Sequence, residues 1–80
     1  MTQKDRILTL AQTYIEQQST GQSTTLTLSN IRSALTAMRV AAYRATGTER
    51  HAQAVQDYLD MRALRRHLKR GNYQMVLRFQ

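Results

Sequence analysis

Cysteine, proline and tryptophan are absent from the 80 residues, and glycine occurs only three times. Without cysteine there is no disulfide, no thiolate metal site and no cysteine nucleophile. His51 and His67 are the only histidines, and no carboxylate cluster accompanies them, so neither a structural metal nor a cofactor is expected. No apolar run approaches the ~20 residues that a helix needs to cross a bilayer. The opening stretch Met1-Thr2-Gln3-Lys4-Asp5-Arg6 lacks the charged-then-apolar layout of a secretory signal, so the default expectation is cytoplasmic residence without membrane contact. Acidic residues are also scarce, five against twelve Lys and Arg, giving a formal net charge of +7.

What is present is an ordinary share of hydrophobic residues, 41 %, enough for a folded chain of one domain spanning residues 1–80. A core of this size is marginal on its own, and with disulfides and metals set aside a second subunit is the remaining source of support. Ten of the twelve cations are arginine. The planar guanidinium fork suits phosphate oxygens and base edges better than an ammonium does. Arginine also simply solubilises helix faces, so composition alone does not decide for nucleic acid.

Residues 2–18 read as a helix, with Thr2 as N-cap and Asp5 near the positive helix end. Ile7, Leu8, Leu10, Ala11, Tyr14 and Ile15 recur at helical spacing and mark its buried face. Ser19-Thr20-Gly21-Gln22-Ser23 is a polar loop. Residues 24–28, Thr-Thr-Leu-Thr-Leu, alternate and carry β-favouring threonines, which predicts a short strand. Ser29 or Asn30 then caps a second helix to about Thr46, with Ile31, Ala34, Leu35, Met38, Ala41, Ala42 and Ala45 on one stripe.

A third helix is expected from about Glu49, after Gly47 and a capping Thr48, to Arg70. It has two apolar sides: Ala52, Val55, Leu59 and Ala63 on one, Met61, Leu64 and Leu68 on the other. Such a helix is either sandwiched between two elements or divides its faces between a core and a dimer contact. After the stop at Gly71-Asn72, residues 73–79 place Tyr73, Met75, Leu77 and Phe79 on one side of a second predicted strand. It would pair with residues 24–28 or with its copy in a second subunit. The expected fold is therefore mainly α with a small β component, three helices and two short strands, in an order like that of a reduced winged-helix domain. Met61, Leu64, Leu68, Tyr73, Met75, Leu77 and Phe79 form the expected dimer or partner interface.

Two groups of polar residues are candidates for function. Arg32, Thr36, Arg39 and Tyr43 make a ridge along the back of the second helix, able to touch phosphates or base edges, or else a solvated face. Arg62, Arg65, Arg66, Lys69 and Arg70 crowd the end of the third helix, with no acid after Asp60. That is more charge than complementing a helix dipole requires, although Asp57 and Asp60 could pair with part of it. Tyr58 lies near this ridge, for stacking or for packing at the core edge. No glycine-rich phosphate loop, His-Glu metal pattern or nucleophile–base pair occurs, so no catalytic residue is expected. The expectation is a non-enzymatic, DNA-binding regulatory or accessory homodimer. The alternative is an interaction module that docks on an acidic protein partner.

Overall fold

The computed structural model describes residues 2–79. Four helices account for it: α1 (Gln3–Thr20), α2 (Thr25–Arg44), α3 (His51–Lys69) and α4 (Tyr73–Leu77). The first three run up, down and up through short connections, in a body of 45 × 22 × 21 Å. α1, α2 and α3 all pack on one another, and α4 folds back on α3.

α1 begins as its sequence indicates. The Thr2 hydroxyl accepts from the Asp5 amide at 3.1 Å, and the Asp5 carboxylate accepts from the Thr2 amide at 3.3 Å. This reciprocal box satisfies two of the donors that a helix start leaves orphaned. The helix closes on Gly21 at φ 75°, where the Gln22 amide reaches back to the Gln17 carbonyl at 2.9 Å. Left-handed backbone at that position is what glycine permits.

Among the described residues there is no strand, and both predicted strands are helical. Residues 25–28 open α2, with Thr24 at its N-cap position, so the helix starts four residues before Ser29. Leu26 is 73 % exposed, whereas Thr27 is buried and donates to the Gln17 side chain at 2.6 Å. Thr27, Ile31, Ala34 and Met38 fall at helical intervals, so the apolar stripe of α2 simply extends one turn backwards. Packing along α1 outweighs the β preference of the threonines. Ser23 supplies the hydroxyl that receives the Thr25 amide, at 3.4 Å.

With residues 25–28 inside α2, the terminal segment has no strand to pair with, and a short helix satisfies its backbone internally. Its core contacts recur at intervals of three. Val76 is fully buried, Tyr73 and Phe79 pack beside it, Met75 is half-buried and Leu77 is 59 % exposed. The winged-helix-like arrangement is therefore replaced by a small all-helical bundle.

The two-sidedness of α3 also resolves. Met61, Leu64 and Leu68, expected on a dimer or partner interface, are completely buried and form one cluster with Ile7, Ala11 and Tyr14 of α1 and Ile31, Ala34, Leu35 and Met38 of α2. On the other side Leu59 and Ala52 are exposed, and Val55 and Ala63 are half-buried. Among the described residues, no helix is long and apolar enough to cross a membrane.

Candidate nucleic-acid interface

The core stripe of α3 fixes where its remaining side chains go. At 100° per residue, Arg65, Lys69, Arg62 and Arg66 follow one another around the flank that faces α2, with Tyr58 among them. Asp60 lies on the opposite flank, and Asp57 continues the core stripe toward the start of the helix, where it meets α1. The Lys4 ammonium of α1 meets Asp57 at 3.3 Å, the only ion pair among the described residues. Gln53 also donates to Asp57, at 2.9 Å, and Gln56 donates to Asp60 at 2.8 Å. Neither carboxylate neutralises an arginine of the cluster, so the pairing that the spacing allowed is not made.

On α2 the same geometry sends Arg32 and Arg39 toward α3. The two basic groups, separate in the sequence, meet across one groove of about 260 Å³ lined by Arg32, Thr36, Arg39, Tyr58, Arg62 and Arg65, with Leu35 at its base. Around the end of α3 it continues into a wider basic depression of about 480 Å³, formed by Arg62, Arg65, Arg66, Lys69 and Arg70. A third hollow, toward the start of α2, joins Arg32 and Arg65 to Thr25 and Ser29. Arg65 borders all three. Its Nε is buried and has no hydrogen-bond partner among the described residues. An unmet buried N–H costs about 1–3 kcal/mol, more when the group is charged.

The candidates differ in their circumstances. Arg32, Arg39, Arg62, Arg66, Lys69 and Arg70 are exposed, while Arg65 is half-buried. The Thr36 hydroxyl donates to the Arg32 carbonyl at 3.1 Å. Tyr43 is 82 % exposed at the end of α2 and does not line the groove. Tyr58 does both things considered for it, packing against the core and forming part of the groove wall. Sequence reading missed the convergence itself. Its signal is the angular offset of each arginine row from its own core stripe, which becomes legible once Met61, Leu64 and Leu68 are taken as the core face.

Among the described residues no group of three His, Asp or Glu side chains is placed to hold a metal ion. Comparison of the chain with protein-family models, curated proteins and solved structures finds no match.

Proposed function

We propose that the chain is a non-enzymatic nucleic-acid-binding protein, acting on DNA in the cytoplasm, whose contact surface is the set of exposed cations that rims the groove between α2 and α3 and continues to the end of α3. One observation carries this reading: arginines from two helices line a single concave surface while the nearby carboxylates of Asp57 and Asp60 are engaged by Lys4 and Gln56. Like charges brought together without internal counterions can neutralise several phosphates of a polyanion at once. The cations condensed on the polyanion are then released, with a gain in entropy. Phosphate contacts of this kind position a protein without specifying sequence, so binding to duplexes of unrelated sequence is expected. The homodimer is no part of the proposal, because the face that suggested it belongs to the monomer core.

Fluorescence anisotropy with a labelled random-sequence duplex tests the proposal. Binding should be clear at about 50 mM salt and weaken by several powers of ten toward about 200 mM, in proportion to the phosphates engaged. Absence of duplex binding at low salt, together with tight binding of polyglutamate, would refute it and favour an acidic protein partner.

A further inference from the structure

Resting on the nucleic-acid reading and deepening it, we propose that the α2–α3 groove is a discrete site for a phosphate monoester, with Arg65 at its centre. The groove volume of about 260 Å³ suits one compact anion, and a duplex is far too wide to enter it. Four arginines, Arg32, Arg39, Arg62 and Arg65, line it from opposite sides. An internal phosphodiester brings one negative charge and two free oxygens. A monoester brings about −1.5 to −2 and three acceptor oxygens, which matches this number of donors better. The unmatched Nε–H of Arg65 adds a geometric element that bare charge does not. Turning the guanidinium toward the groove would present its Nε and Nη donors side by side to two oxygens of one phosphate, the bidentate pairing that lysine cannot make.

The chemistry has two sources, a small free phosphate compound or the phosphorylated end of a nucleic-acid strand. The test is a titration of the arginine Nε–H resonances of the full chain with inorganic phosphate, against chloride at matched ionic strength. The expected result is a saturable shift of Arg65 with Arg32, Arg39 and Arg62; in Arg65→Lys, which keeps the charge but removes the fork, the shifts of the other three should saturate about tenfold more weakly. A second arm compares 5′-phosphorylated with 5′-hydroxyl oligonucleotides of one sequence. Tighter binding of the phosphorylated strand, on the order of tenfold, assigns the site to strand ends. Equal binding beside a saturable phosphate shift assigns it to small phosphate compounds. Weak, non-saturating shifts spread over all the arginines would overturn the proposal. Duplex binding through the exposed cations is measured separately, and its persistence in that case would leave the nucleic-acid reading standing.

Discussion

The first residues that decide anything in this chain are Thr2 and Asp5. Their mutual hydrogen bonds hold the Asp5 carboxyl below its ordinary value, the Thr2 hydroxyl bond contributing most and the Thr2 amide next. A carboxylate whose folded-state pKa is depressed stabilises the fold above its unfolded value. That contribution is lost as the pH falls through the depressed one. The expected titration of Asp5, followed by NMR of its side-chain carboxyl, lies below that of an unstructured aspartate. In Thr2→Ala it returns upward. Loss of the cap should also cost about 1 kcal/mol of stability, seen as a lower denaturation midpoint at neutral pH. An unchanged Asp5 titration in Thr2→Ala would show that the box does not hold the helix start.

At the scale of the elements, α3 organises the molecule, because one helix carries the centre of the core and one wall of the groove. Leu64 is fully enclosed by its neighbours, and Leu64→Ala should cost about 3 kcal/mol by removing contacts and leaving a cavity. That is a large fraction of what an 80-residue domain has in hand. Because the face is intramolecular, the melting temperature of the wild-type chain should not depend on protein concentration. A midpoint rising with concentration would restore the dimer contact. α1, the main stripe of α2 and the stop at Gly71 were legible in the sequence because periodicity and caps agree there. The two short segments were not. In Thr-Thr-Leu-Thr-Leu local β preference conflicts with a helical phase visible only from Ile31 onward. In Tyr73–Phe79 spacings of two and three are both apolar, and the choice depends on whether a partner strand exists. The arginines of the site could be named one by one, but their meeting across a groove is a tertiary fact.

For the whole molecule, charge is distributed lengthwise. Asp5, Glu49 and Asp57 lie toward the end where α1 and α3 begin, alongside Arg6, Arg44 and Arg50. The other end carries the groove and the Arg62–Arg70 ridge, with Glu16 as its acid, and Asp60 stands at mid-length of α3 on the flank away from the ridge. Under the proposed function the excess charge acts as a localised patch and not as a diffuse net charge. The direct test is the salt dependence of duplex binding in two variants that lose the same charge at opposite ends. Arg62→Ala/Arg66→Ala/Lys69→Ala should reduce the steepness of log K against log salt by about 3. Arg6→Ala/Arg44→Ala/Arg50→Ala should leave it close to wild type. Equal changes in the two triple variants would contradict the account.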